Sequence, residues 1–296
     1  MEWMMNFQEY QEQALKTNRI PDGKGVEIIV PLLGLAGESG ELLSEYKKYL
    51  RDGESHQLFP KRVAEELGDL LWYIANLSSK FNLDLAEIAE KNLQKCRDRW
   101  GITSSERLHV FLFDNDFPQE ERLPRRFDIK ITEVSENQSV KMRAFINGIQ
   151  IGNDLTDNSY SSDGYRFHDI FHFSCAAVLG WSPVTRSILK CKRKSNSGID
   201  EVEDGGRAIA IEEGISALVF SYAKDHHLLE EISTIDDQIL KTIKSMTEHL
   251  EVSQCSLADW EKAILNCYEV WRKIEKNRGG KVIVDLDTRS IAYQNK

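Results

Sequence analysis

An all-α helical bundle followed by a mostly helical α+β domain is the fold class this sequence predicts. Three observations predict it. Apolar residues recur at helical spacing in four successive segments between residues 5 and 100. The composition shifts after Gly101, where the helical period lapses in a stretch that holds two of the six prolines. Beyond that shift, apolar and polar residues partly alternate around Asn147-Gly148, a hairpin turn signal, before helical patterning returns. The expected organisation is a bundle over residues 1–103, a linker over 104–126 and an α+β domain over 127–296.

The elements follow in order. "FQEYQEQALK" places Phe7, Tyr10 and Ala14 on one helical face. "GLAGESGELLSEYKKYL" carries Leu35, Leu42, Leu43, Tyr46 and Leu50, an apolar stripe that calls for a core. "KRVAEELGDLLWYIANLSSKF" repeats the pattern with Val63, Leu67, Leu70, Leu71, Ile74 and Leu77. In "DLAEIAEKNLQKCRDRW", Asp84 and Glu87 have the spacing of a capping box, and Trp100-Gly101 closes the helix. Four helices with modest connections make a bundle. "FLFDNDFPQEERLPRR" holds two of the six prolines and reads as the linker. "RFDIKITEV" and "VKMRAFINGIQIG" read as strands, and helices run from about Tyr165 to Arg278. The polar loop "KCKRKSNSGIDEVEDGG" interrupts them, and "KVIVDLDTRSIAY" is a last strand or hairpin.

With 41% hydrophobic residues in 296, a sizeable core is available and whole-chain disorder is excluded. The net charge of -10 argues against general nucleic-acid binding, which needs a basic surface. It is compatible with a local phosphate site served by divalent cations. Cys96, Cys175, Cys191, Cys255 and Cys267 are odd in number and show no Cys-x-x-Cys pair, so reduced thiols in a cytoplasmic protein are expected. The N-terminal "MEWMMNFQEYQEQ" lacks the regions of a signal peptide, and "IFHFSCAAVLGWSPVT" is too short for a bilayer span. No membrane association is expected.

Glu38 and Glu41 are spaced i, i+3, and Glu66 and Asp69 share that spacing on the third helix. Both pairs border apolar stripes. Two such helices side by side bring four carboxylates together, and four unpaired anions cannot share a poorly solvated site. A hard, oxygen-ligated cation, Mg²⁺ or Mn²⁺, is the natural counter-charge. A lone Glu-x-x-Glu pair is more often a solvated face, and the second pair is what changes that balance. Glu45 continues the line, either as a further ligand or as the ion-pair partner of Lys48. Glu65 reads as a surface residue.

"GESGELLSE" followed by "EELGDLLWYI" resembles the MazG-like nucleoside triphosphate pyrophosphohydrolases, over about residues 6–101. The family pattern Glu-x-x-Glu, gap, Glu-x-x-Asp here reads Glu38, Glu41, Glu66 and Asp69. "EYQEQALKT" and "EKNLQKCRDRWG" resemble the family's first and last helices. The resemblance implies an oligomerising bundle, a homodimer or higher, that uses Mg²⁺ to hydrolyse a nucleoside triphosphate to the monophosphate and pyrophosphate. It implies that the four carboxylates hold metal and that one of them, undetermined, accepts the proton of the attacking water. It sets Asn92, Lys95 and Arg99 against the substrate, where the alternative is a solvated polar face.

The remaining two-thirds of the chain resembles the C-terminal domain appended to some MazG-like proteins. His168 and His172 are i, i+4 with Asp169 between them, a spacing that can chelate a metal. Glu212 and Glu213 lie in an otherwise apolar helix and need a partner, such as His168, His172 or Arg207. A buried histidine–carboxylate network is the preferred reading, and a second metal or phosphate site the sharper one. Lys190, Lys192, Arg193 and Lys194 either recognise phosphate or balance the adjacent acidic "DEVEDGG". Two other functions compete with the hydrolase: a nucleotide sensor with weak turnover, and a bifunctional enzyme with a second hydrolytic centre at His168, Asp169, His172 and Glu212 or Glu213.

Overall fold

The computed structural model describes residues 5–21, 23, 25–100, 112–136 and 139–295, and the contacts divide the chain into two compact units, Met1–Arg97 and Asp98–Lys296. The helices of the first are α1 (Phe7–Thr17), α2 (Val26–Asp52), α3 (Phe59–Lys80) and α4 (Leu85–Trp100). The Asn6 side chain accepts from the Glu9 N–H and the Glu9 carboxylate accepts from the Asn6 N–H, which starts α1 with a capping box. Asp84 starts α4 by accepting from the N–H groups of Ala86 and Glu87. Gln11 donates to Ser79 Oγ and the Leu83 carbonyl and accepts from the Leu85 N–H, so one side chain ties α1 to the α3–α4 turn.

The buried core of this unit is small: Ala14, Ala75 and Leu85, backed by Tyr10 and Trp72. Leu43, Tyr46, Leu50 and Leu67 are each more than half exposed. Much of the apolar stripes of α2 and α3 is therefore left uncovered within one chain. Four helices of this length enclose too little volume to cover faces so wide.

The second unit contains β1 (Arg126–Glu136), β2 (Ser139–Ile146), β3 (Ile149–Leu155), α5 (Asp169–Leu179), α6 (Pro183–Leu189), α7 (Ser197–Val202), α8 (Gly206–Asp225), α9 (Asp237–Met246), α10 (Leu257–Asn277), β4 (Gly279–Asp285) and β5 (Ser290–Gln294). The five strands form one antiparallel sheet in the order β3-β2-β1-β4-β5. Phe127, Ile129 and Ile131 point inward from β1 while Arg126, Asp128 and Lys130 point outward, the period of a half-buried strand. Asn147 and Gly148 both have positive φ, as a two-residue type I′ hairpin requires, and join β2 to β3. The last strand is a hairpin, β4 with β5. On the buried side lie α5, every residue of which is buried, and α10, which buries Trp260, Ile264, Cys267, Trp271 and Ile274 at helical spacing. No helix among the described residues is long and apolar enough to cross a membrane.

Residues 112–125, part of the stretch expected to be a linker, are built into this unit. Buried Asp114 accepts from Arg125 Nη2 at 2.7 Å, Arg186 Nη2 at 2.7 Å and the Leu123 N–H at 2.8 Å. Residues 101–111 lie outside the described residues. The polar loop is also internal in part. Arg193 is fully buried and donates to Asp204 Oδ1 and Glu251 Oε1, each at 2.7 Å, while Lys190 and Lys194 are exposed. Asp204 belongs to the acidic "DEVEDGG", so for Arg193 the neighbouring charge is its partner.

Candidate active site

The carboxylates of the first unit come together where α2 packs on α3. One oxygen each from Glu38, Glu66 and Asp69 lies within 4.8 Å of the others. Glu38 and Glu66 are half-buried and Asp69 is exposed. Glu41 is exposed and stands outside this trio, yet its charge reaches Glu66. Partial burial pushes the Glu66 carboxyl above the usual range, and the neighbouring carboxylates Glu38, Glu41 and Asp69 push it further the same way. A carboxyl raised by its own kind marks an excess of negative charge that a cation would relieve. Three oxygens at such separations are a hard donor set.

The juxtaposition has a local cause. Gly34 lies one turn before Glu38, and Tyr73 lies one turn after Asp69. The Tyr73 ring fills the space a side chain at 34 would take, since a Cβ there would lie 2.2 Å from it. That close approach holds the carboxylate-bearing turns of α2 and α3 against each other. Neither residue is singled out by sequence reasoning, and the only signal for it is a glycine at helical spacing from Glu38. From α1, Tyr10 is also near: burial and the charge of Asp69 push its hydroxyl up.

The other residues expected at the site fall as follows. Glu45 is buried and pairs with Lys48 and with His56 Nε2 at 2.9 Å. It is committed to closing the C-terminal end of α2. Glu65 is exposed and accepts from Arg62. Asn92 and Lys95 are exposed on α4, and among the described residues neither makes a hydrogen bond or ion pair to the carboxylates. Arg99 falls in the second unit, where it donates to Glu261 Oε2 at 3.1 Å and the Ile235 carbonyl at 2.8 Å.

In the second unit, one donor atom each from His168, Asp169 and His172 also lies within 4.8 Å of the others. Glu212 and Glu213 reach the same place from α8, with Glu212 Oε1 2.9 Å from His172 Nδ1 and Glu213 Oε2 3.5 Å from His172 Nε2. All five residues expected to share this neighbourhood do so. Arg207 makes no ion pair with either glutamate among the described residues.

Comparison with known proteins agrees with this division. The family model of the MazG nucleotide pyrophosphohydrolase domain matches residues 30–101, and that of the MazG C-terminal domain matches residues 108–296. The Gene 37 protein of Mycobacterium phage L5 is 33% identical to this chain over 101 residues, covering 32% of this chain and 89% of that protein. No solved structure matches. The carboxylate trio lies within the first of the two matched regions and the histidine cluster within the second. The chain belongs to the MazG family, as a nucleotide pyrophosphohydrolase domain followed by a MazG C-terminal domain.

Proposed function

We propose that this chain hydrolyses a nucleoside triphosphate to the monophosphate and pyrophosphate with Mg²⁺, for which Mn²⁺ can substitute. The MazG domain family supports nucleotide pyrophosphohydrolase activity in general and is metal-dependent. The observation that carries the finer reading is the meeting of Glu38, Glu66 and Asp69 from two helices in one cluster, the two glutamates half-buried and Asp69 exposed. These three residues would hold the metal, and all their donors are hard oxygens, as Mg²⁺ and Mn²⁺ prefer. When bound, the ion supplies charge neutralisation for the phosphates and lowers the pKa of a coordinated water.

The protein's own contribution is placement. Gly34 and Tyr73 fix the helix spacing. Glu38 and Glu66 give up part of their solvation, which strengthens their hold on a cation. Glu41 adds negative charge at the rim and is free to accept a proton, as is whichever trio oxygen the metal leaves open. Asn92 and Lys95 are among the exposed side chains of α4 and would meet the substrate. Exposed Leu43, Leu50 and Leu67 support a homodimer or higher oligomer, because a second copy of the same chain would cover these faces.

The test is pyrophosphate release from a panel of ribo- and deoxyribonucleoside triphosphates with Mg²⁺. The expected result is turnover of at least one, reduced about 100-fold or more by Glu38→Gln, beyond the loss typical of an outer-shell partner. Absence of release from every nucleotide, or full activity in Glu38→Gln, overturns the proposal.

A further inference from the structure

The histidine–carboxylate cluster of the second unit differs from the carboxylate site in its donors and in how they are held. His168 gives its Nδ1 to the Tyr165 carbonyl at 2.9 Å, and its ring stacks on Tyr165 with centroids 4.5 Å apart. His172 gives its Nδ1 to Glu212 at 2.9 Å. Both rings are therefore held from behind, with Nε2 turned to the same space. Metal-bound histidines are held in this way, with the far nitrogen on a carbonyl or carboxylate. Glu212 is fully buried and already occupied, accepting from Ser182 Oγ at 2.7 Å and the Val184 N–H at 2.9 Å as well. It orients and does not ligate.

The two rings face a group of donors held by long contacts. His172 is wholly buried, and its Nε2 makes no hydrogen bond. The Asp169 carboxylate is buried and receives no hydrogen bond among the described residues; its ion-pair contact, to His168 Nε2, is 3.9 Å long. Glu213 Oε2 lies 3.9 Å from His168 Nε2 and 3.5 Å from His172 Nε2, and Glu213 alone of the four is open to solvent. Bond lengths of about 2.0–2.1 Å to a tetrahedral ion put neighbouring donors roughly 3.3 Å apart, so these three pairs close by well under about 1 Å, and the atoms of His168, Asp169 and His172, all within 4.8 Å of one another, by at most about 1.5 Å. The backbone of β3 walls the site at Gly152, where a Cβ would stand 3.9 Å from Asp169 Oδ2.

We propose that His168 Nε2, His172 Nε2, Asp169 and Glu213 form a divalent transition-metal site of the Zn²⁺ class in the C-terminal domain. Two imidazoles favour such ions over Mg²⁺. Glu213 closes the fourth position from the solvent side and marks the entry path.

The experiment uses the full chain carrying Glu38→Gln, stripped with chelator and titrated calorimetrically with Zn²⁺ in millimolar Mg²⁺. The expected result is one Zn²⁺ per chain, abolished by His172→Ala and weakened about 10-fold or more by Glu213→Gln. Glu213 is partly exposed, so its variant reports on ligation even if His172→Ala fails to fold. Co²⁺ in place of Zn²⁺ is expected to show the visible absorption of a four-coordinate site. Absence of Zn²⁺ binding in the Glu38→Gln chain, displacement by Mg²⁺, or affinity unchanged in Glu213→Gln overturns the proposal, whatever the nucleotide assay shows.

Discussion

Gly34→Ala isolates the close approach that sets the carboxylate site. Three glycines, 34, 37 and 40, sit in the same helix beside the same motif. Alanine is better than glycine in a helix by about 1 kcal/mol. At Gly37 and Gly40 an added Cβ meets nothing within 4 Å, so both substitutions are expected to stabilise α2 by roughly that amount. At Gly34 the same Cβ would lie 2.2 Å from the Tyr73 ring and 2.7 Å from its hydroxyl oxygen. Overpacking of this kind costs about 1–3 kcal/mol, so the propensity gain is cancelled or reversed. The net expectation is a loss of about 0–2 kcal/mol at Gly34 against a gain at its neighbours. Native-state hydrogen exchange at α2 and α3 amides reads this locally, with about 1 kcal/mol appearing as a roughly fivefold change in protection. In a Tyr73→Ala background the Gly34→Ala substitution should turn stabilising, because the clash is gone. Equal added protection for Gly34→Ala and Gly37→Ala in the native background would refute the reasoning. Tyr73 would then move without cost, and the glycine would not position Glu38.

Asp114→Ala is expected to destabilise the second unit by about 3–5 kcal/mol in urea unfolding, because it removes the closest anion of Arg186, itself 1% exposed and left with Asp204 at 3.7 Å, and takes the same carboxylate from Arg125. The same carboxylate gives a pH dependence. Burial alone would raise Asp114, but Arg125 and Arg186 outweigh it and hold the group below the usual carboxylate range. A depressed folded pKa contributes stability that is present above the unfolded value and lost as pH falls through the folded one. Unfolding free energy should therefore fall with acid below the ordinary aspartate range, and Asp114→Asn should flatten that limb; a limb of unchanged slope would count against the assignment. For the bundle, Leu43→Glu with Leu50→Glu should lower the oligomeric state measured by sedimentation. An unchanged mass would remove the argument for a covering second copy.

Features carried by a single helix were legible in the sequence. The i, i+3 spacing of Glu38 with Glu41 and of Glu66 with Asp69 is a property of helical geometry, and the packing of α2 on α3 then brings Glu38 to Glu66 and Asp69, with Glu41 outside the trio. The Asn147-Gly148 hairpin was legible because the turn type demands those residues. Features made by distant partners were not. Asp114 lies in a stretch without period, and its meaning depends on Arg186, 72 positions away. Arg193 looked like one more cation of a lysine-rich loop until Asp204 and Glu251 enclosed it. The apolar stripe of α2 was read correctly as apolar, but spacing does not say whether a core or another chain covers it.

The two ways in which the second unit buries carboxylates bear on the metal proposal. In one region anions and cations alternate: Arg125, Asp114, Arg186, Asp204, Arg193 and Glu251 form a chain in which Asp114 and Asp204 each lie between two arginines. A low-dielectric interior tolerates such a network because every charge is paired and hydrogen-bonded. Around His168 and His172 no arginine or lysine pairs with Asp169, Glu212 or Glu213 among the described residues. The positive partner there is supplied only by imidazoles. Three carboxylates with no guanidinium, two of them buried, are poorly suited to a purely structural network in a unit that elsewhere supplies arginines to the same residue types. A divalent cation provides further positive charge and gives His172 Nε2, which makes no hydrogen bond and lies 3.5 Å from Glu213 Oε2, a closer partner. Replacing Glu213 with arginine should therefore supply a cation in place, raising stability in the metal-free chain while abolishing Zn²⁺ binding; a metal-free chain destabilised by that change would show that the cluster is already balanced.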